Sequence, residues 1–499
     1  MIQRLQRPWR ITRQLAEVLV GLYILFLGFI VPSTIALNFN FEKLGLLIGL
    51  YLLCVAGVAF YLGIKNSKSA ILLVLLIMPW QPLLTMPFSN FLDTSGVQGL
   101  IATKEVYIGI LLAALYIRNR KKIKWNNIDM VVGLFLFLYC IFAMISPAGV
   151  FGIAVSFRQG FMIAAFYFVG RLSLFDLKDI RWLLIISVNI ALAIAVFGFI
   201  ERFGFTASTW QKIGALDYLD IKKTSVDLML KIDLPLNWST RIGNVIYRRM
   251  VSSIADPTSL SRYLSFPVLI LVFFPRLFRR SMRLFPFRFT VISIALLLTL
   301  GRGGLLIVLG GIAIRAFYKQ YLAGFLVIIT IAILIFTLPV FDLQAASVAR
   351  HIEKAQNGIN QLISYPIGKG LGTGGGLAVY YGDIDEKETT ESYLVALSYQ
   401  IGILGVLSYL LFVIAVSGRM LKIYSTASKE EGKNSDVAKM ALLGLSVIVG
   451  IFSTSLLSNS AVSPISAGSS LLYVGTLIGL YDRWFNKPNK PDGQVSLAP

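Results

Sequence analysis

Residues 180–203 read IRWLLIISVNIALAIAVFGFIERF, and between Trp182 and Ile200 the run holds no charged side chain and only Ser187 and Asn189 as polar ones. A helix rising about 1.5 Å per residue needs roughly 20 apolar residues to cross a hydrocarbon core about 30 Å thick. This stretch meets that requirement, and the pattern recurs along the chain with short polar interruptions. The spacing predicts further spans over 15–37, 44–64, 69–88, 102–117, 129–147, 158–174, 258–275, 287–301, 303–318, 321–340, 391–417, 440–457 and 467–482. The composition agrees: of 499 residues, 56% are hydrophobic and 14% charged, and the mean hydropathy of +0.75 is far above that of a soluble domain of this length. The fold class expected is therefore an all-α polytopic membrane protein of about 14 transmembrane helices.

Its organisation follows from the gaps. N-terminal transmembrane helices occupy 1–203, and a long loop follows over 204–257. Central helices occupy 258–340, a second long loop 341–390, and the C-terminal helices 391–499. The net charge of +21 would suggest nucleic acid in a soluble chain, but here the basic residues fall in short connections such as 118–124, 276–288 and 419–439. That is an orientation signal, which places both termini in the cytoplasm and both long loops outside. No nucleic-acid partner is expected, and membrane lipids are. Arg4, Arg7, Arg10 and Arg13 precede the run at 15–37, which is too long for a signal peptide and is read as a first span that stays. Cys54 and Cys140 lie inside expected spans, so neither a disulfide framework nor a cysteine metal site follows.

The first long loop mixes Trp210, Tyr218 and Trp238 with Lys222, Lys223 and Arg241. Such aromatics either stack on sugar rings or sit in the headgroup belt. In the second loop, Ile352, Ala355, Ile359, Leu362 and Ile363 recur at helical spacing, as in an amphipathic helix lying on the membrane. Gly370, Gly372 and Gly375 satisfy GxGxxG but follow no strand, so they read as a turn or lid, not a dinucleotide site. Asp383 and Asp385 form a DxD inside an acidic run, and His351 has no partner histidine. Neither argues for a metal, and no metal or cofactor is expected.

The informative charges are arginines at the external ends of spans. Arg302 stands in Gly301-Arg-Gly-Gly304 between two apolar runs, at the start of a helix whose free N–H groups favour an anion. A guanidinium near hydrocarbon costs on the order of 2.5–3.5 kcal/mol, so it needs a compensating partner. Arg158, Arg249 and Arg262 stand at other external span ends. A cluster of this kind suits phosphate or pyrophosphate through forked hydrogen bonds. The competing reading, strongest for Arg158 and Arg262, is snorkelling to lipid phosphates. Glu391 and Gly402, eleven residues apart, share a face on a continuous helix with Ser398 between them. Glu391 at the outer mouth suits a general base, and equally a helix-dipole partner or cap.

These residues resemble the O-antigen ligase and polymerase superfamily, membrane proteins that join lipid-linked saccharides outside the cytoplasmic membrane. The similar segments are RMVSSIADPTSL (249–260), GRGG (301–304), YPIGKGLG (365–372) and ESYLVALSYQIGILGVL (391–407). In ligases of that family the position matching Glu391 is usually histidine. This chain keeps Ser392 and Gly402 and carries glutamate there, which leans toward the polymerase branch. The resemblance implies a bacterial inner-membrane, metal-independent glycosyltransferase that moves a saccharide from undecaprenyl pyrophosphate to an acceptor hydroxyl. It implies Arg302, Arg249 and Arg158 as the residues binding the lipid-linked donor and Glu391 as the catalytic base. The rival expectation is an anion transporter, for bicarbonate for example, since arginine-lined mouths and glycine-broken helices also suit anion passage.

Overall fold

The computed structural model describes residues 42–222, 228–229, 233–242, 245–281, 284–318, 362–374, 392–432 and 435–485, with isolated positions 326, 356 and 360. The expected spans 15–37 and 321–340, most of the expected amphipathic helix, Gly375, Asp383, Asp385 and Glu391 lie outside the described residues. The other twelve expected spans coincide with helices. Nine described helices are long and apolar enough to cross a membrane, which makes this a polytopic integral membrane protein of helical architecture.

The chain begins with α1 (Glu42–Lys65), α2 (Ser67–Thr85), α3 (Thr94–Ile101) and α4 (Thr103–Asn119). Then come α5 (Asn127–Met144), α6 (Val150–Leu172) and α7 (Leu177–Gly204), the helix of the opening quotation. Short polar residues set the starts. Asn126 and Asp129 form a capping box at α5, and Asp176 and Asp179 another at α7, each satisfying N–H groups the helix leaves free. After a folded connection come α10 (Pro257–Phe273), α11 (Leu284–Leu298), α12 (Arg302–Tyr318), α13 (Tyr393–Glu431), α14 (Asp436–Ser455) and α15 (Pro464–Phe485). The closest crossing joins α6 to α15, where Gly170 lies against the carbonyl of Leu472 and Gly475 against that of Tyr167. A Cβ at either glycine would collide with backbone, so this pair needs small residues.

At the far ends of α5, α6 and α15 lies a buried ion network. Arg171 Nη2 is 3.2 Å from Asp129 Oδ2 and 2.6 Å from Asp482 Oδ2. Tyr167 donates to Asp129 at 2.8 Å, Asn126 to Asp482 at 2.6 Å, and Arg419 of α13 pairs with Asp482. Two cations face two carboxylates, so the buried charges compensate one another.

The connection over 204–257, expected as a loop, is a small folded cap. It contains α8 (Ala207–Lys212), α9 (Ala215–Ile221) and two antiparallel ladders. In the first, β1 (Leu228–Met229) pairs with β2 (Leu234–Pro235). In the second, β3 (Ser239–Ile242) pairs with β4 (Val245–Arg248), with Thr240 opposite Tyr247. The expectation for its aromatics is corrected. Trp210, Tyr218 and Trp238 are buried with Met86, Val97 and Val251 in a second hydrophobic core. The Trp210 and Trp238 rings meet at 4.9 Å, and Trp238 Nε1 donates to the Ala255 carbonyl at 3.1 Å. These rings hold the cap together and are accessible neither to sugar nor to headgroups.

Candidate functional site

The site grows from the turn between α11 and α12. Leu300 takes a left-handed φ of 51°, and Thr299 Oγ1 accepts from the Gly301 N–H at 3.1 Å. Ser261 of α10 donates to the Gly301 carbonyl at 2.7 Å and accepts from the Gly304 N–H at 3.0 Å. α10 therefore packs directly on the start of α12. The three glycines of the GRGG segment record that packing: Gly301 and Gly304 lie against Ser261, and Gly303 lies against the Arg262 guanidinium. Arg302 is the first residue of α12, where the helix dipole favours negative charge.

Arg249 reaches the same turn from the cap. Its Nε donates to the Thr299 carbonyl at 2.8 Å and its Nη1 to the Asn237 carbonyl at 3.2 Å. Burial pulls this guanidinium below its ordinary pKa, opposed in part by the charge of Asp256. The strand end carrying Arg249 is fixed by Glu201 of α7. That buried carboxylate accepts from Arg248 at 2.6 Å and from the N–H groups of Val251 and Ser252 at 3.1 Å each.

Arg262 is 6% exposed, and its Nη1 donates to Ser460 in the turn after α14. It is inside the protein, so snorkelling does not describe it. Asp256 stands nearby as the cap of α10, accepting from the Thr258 and Ser259 N–H groups at 3.2 and 3.0 Å and from both hydroxyls. Burial alone would raise this carboxyl, but the bonds from Ser259 and Thr258 and the charge of Lys222 bring it below its usual value. A carboxylate so committed is a poor base.

Arg158 belongs to a neighbouring compartment. It lies 3.5 Å from Glu105 of α4, and Lys104 lies 3.3 Å from the same carboxylate. Arg158 and Glu105, with Lys222 and Phe157, line a cavity of about 390 Å³ between α4 and α6. Lys222, whose pKa burial lowers, is within electrostatic reach of both Asp256 and Arg158. The structure thus brings Arg249 and Arg262 to the turn at which Arg302 begins α12, and it places Arg158 beside Glu105 at a separate cavity. Glu105 and Glu201 were not singled out by sequence, and Arg262, named there among the span-end arginines, was not separated from a snorkelling one. Lys104-Glu105 reads as an ordinary charge pair at a span end, and Arg262 becomes notable only once its burial is known.

Glu391 itself lies outside the described residues, but its neighbour is placed. Ser392 caps α13, accepting from the Val395 N–H at 3.4 Å, and donates to the Ser455 carbonyl at the end of α14. That end of α14 lies at the start of α12, since Gly450 packs on Ile307. The described part of α13 begins at Tyr393. The cap role belongs to Ser392. The helix also breaks at Gly402, whose φ of 71° and ψ of −154° are not helical.

The break is closed by the glycine-rich segment. Lys369 N–H donates to the Tyr399 carbonyl at 2.7 Å and Gly370 N–H to the Gln400 carbonyl at 3.0 Å, while Ile403 N–H donates to the Pro366 carbonyl at 2.9 Å. Leu371 N–H donates to the Phe142 carbonyl. Residues 365–371 are thus a packed splint and not a free lid, with the N–H groups of Gly368, Lys369, Gly370 and Leu371 all taken. Comparison with known families completes the description of the site: no protein-family model matches the chain, and no curated protein matches it.

Proposed function

We propose that the protein is a bacterial inner-membrane glycosyltransferase that joins saccharides carried on undecaprenyl pyrophosphate to an acceptor hydroxyl, as a polymerase in preference to a ligase. In this reading the chain crosses about fourteen times with both termini in the cytoplasm, and the arginine end faces outward. The observation that carries the proposal is the meeting of Arg249, Arg262 and Arg302 at the N-terminus of α12, with Ser392 tied to the same end of the bundle.

The chemistry follows from that placement. The acceptor oxygen bonds to the anomeric carbon as the bond from that carbon to the pyrophosphate oxygen breaks, and the electron pair leaves on pyrophosphate. Preorganised guanidinium groups stabilise that growing charge. Glu391 takes the proton of the acceptor hydroxyl. Arg158 and Lys222 extend the positive surface toward the cavity at Glu105.

The broken helix α13 is the feature shared with anion transporters. In transporters the freed backbone groups of such a break hold the ion, whereas here Tyr399, Gln400 and Ile403 are all engaged by the splint. The test is to reconstitute the purified protein in vesicles with a lipid-pyrophosphate-linked repeat unit. Longer saccharide chains without any second acceptor are expected. A requirement for added lipid A core would make it a ligase, and bicarbonate uptake with no new glycosidic bonds would overturn the proposal.

A further inference from the structure

The end of the bundle away from the arginine turn carries a basic pocket of its own. Arg483 of α15 donates to the Phe175 carbonyl just before α7 begins, whereas Glu201 near the other end of α7 holds Arg248. At about 1.5 Å per residue α7 separates the two by roughly 40 Å. The pocket, of about 160 Å³, is lined by Lys122, Lys124, Arg171, Asp482 and Arg483. Four cations thus face one carboxylate, and that carboxylate is already shared among Arg171, Arg419 and Asn126. Asp176 and Asp179, in electrostatic reach of Arg483, form the capping box of α7, and Asp179 also pairs with Lys68. The segment that carries the two lysines is pinned to the bundle along its length. Asn119 donates to the Leu172 carbonyl at 2.8 Å, Arg171 donates to the Lys124 carbonyl at 2.9 Å, and Asn126 donates to Asp482 at 2.6 Å. Lys122 and Lys124 therefore stand at fixed points of the wall and not on a loose loop.

The neighbouring aromatics show what the pocket opens onto. Trp125, the residue after Lys124, is exposed; its ring meets that of Phe168 edge-on at 5.9 Å and lies 6.4 Å from that of Tyr116, which is exposed as well. An exposed tryptophan and tyrosine at the end of apolar spans mark the headgroup level of a bilayer. We propose that this pocket seats the phosphate of an anionic phospholipid, with Lys122, Lys124 and Arg483 as its donors. Basic pockets between transmembrane helices take such headgroups through charge-assisted hydrogen bonds. The volume is below the roughly 300–1,000 Å³ of sites that enclose a whole small molecule, which suits a headgroup whose acyl chains stay in the bilayer. A lysine on a loose surface segment attracts anionic lipid wherever it stands, whereas a fixed pocket makes the effect depend on position. The proposal is independent of the reaction assigned to the opposite end.

The experiment purifies the full chain in neutral detergent and titrates it with phosphatidylglycerol or phosphatidylcholine, counting retained lipid by native mass spectrometry and following the melting temperature. Wild-type protein retains phosphatidylglycerol in preference to phosphatidylcholine and melts higher with it. Lys122→Gln and Lys124→Gln each weaken phosphatidylglycerol binding about fivefold, and the double variant weakens it more than tenfold. Lys121→Gln removes the same charge from a residue outside the lining and changes binding less than twofold. All three lysines are exposed, so the lipid-free melting temperature stays at the wild-type value. Should Lys124→Gln fold poorly, Lys122→Gln against Lys121→Gln carries the test. Equal losses in Lys121→Gln and Lys122→Gln reduce the effect to diffuse surface charge and overturn the proposal, as does equal retention of the two lipids. Inorganic phosphate at millimolar concentration is expected to leave the lipid in place; displacement of the lipid by it means that the seat takes free phosphate, and overturns the lipid assignment.

Discussion

Arg302 and Arg249 reach one turn by different routes, Arg302 as the first residue of α12 and Arg249 through its bond to the Thr299 carbonyl. Arg249 therefore both braces the turn and contributes charge, while Arg302 sits where an incoming anion meets the helix end. Arg302→Ala is expected to reduce polymer formation by about a hundredfold or more while leaving the protein in the membrane fraction. Gel ladders of product alongside immunoblots of membranes check this, and unchanged chain length and yield count against it. Glu391→Gln is expected to lower turnover by roughly a hundred- to ten-thousand-fold with donor binding little changed; a fully active variant removes Glu391 from the chemistry. Arg302 drew notice in the sequence because a guanidinium between apolar runs demands an explanation, and Arg249 because it stands at a span end. Arg262 was named with them, but one arginine early in an apolar helix reads the same whether it snorkels or is enclosed. Only the packing of α10 against α12 and the Ser460 turn distinguishes the two.

At the scale of elements, α13 and the cap of α10 decide how the site is held. The Gly402 conformation is left-handed, and a Cβ there would run into the Pro366 carbonyl. Gly402→Ala is accordingly expected to destabilise the protein by about 1–3 kcal/mol, seen as a lower melting temperature in detergent; an unchanged melting temperature would mean the splint is not rigid. Asp256→Ala removes the cap of α10 and should cost about 0.5–2 kcal/mol. Because the folded state depresses this carboxyl below its usual 3.8, its contribution is present above that value and lost as pH falls through the lower folded one. Acid melting below about pH 4 should therefore narrow the gap between wild type and Asp256→Ala, and a gap that widens on acidification contradicts the assignment. The helix α13 was legible as a span, but its break was not. Glycine is common in membrane helices, and what turns Gly402 into a break is the segment 365–374, distant in sequence, whose N–H groups take the freed carbonyls.

Across the whole molecule the two ends differ in how they treat buried charge. One end balances Arg171 and Arg419 against Asp129 and Asp482, and the other brings arginines to α12, where the described carboxylates Glu201 and Asp256 are already hydrogen-bonded. Asp482→Asn should destabilise the bundle by roughly 3–5 kcal/mol because it takes the carboxylate from Arg419 and leaves two buried cations to Asp129 alone; thermal unfolding measures it, and a loss of activity without any loss of stability would contradict a structural role. Hydrophobic period and length made the helical membrane class and most of the spans readable. The cap over 204–257 escaped because its elements are short and its core is completed by Met86, Val97 and Ile101 from other parts of the chain. The central claim is that the arginines of α10, α12 and the cap share one pocket with Glu391, open to the side where lipid-linked saccharides are delivered. A structure determined with undecaprenyl pyrophosphate bound tests it most directly. The diphosphate is expected within hydrogen-bond reach of Arg249, Arg262 and Arg302 with the Glu391 carboxylate facing the same cavity, and a diphosphate bound elsewhere, or Glu391 turned to lipid, would contradict this.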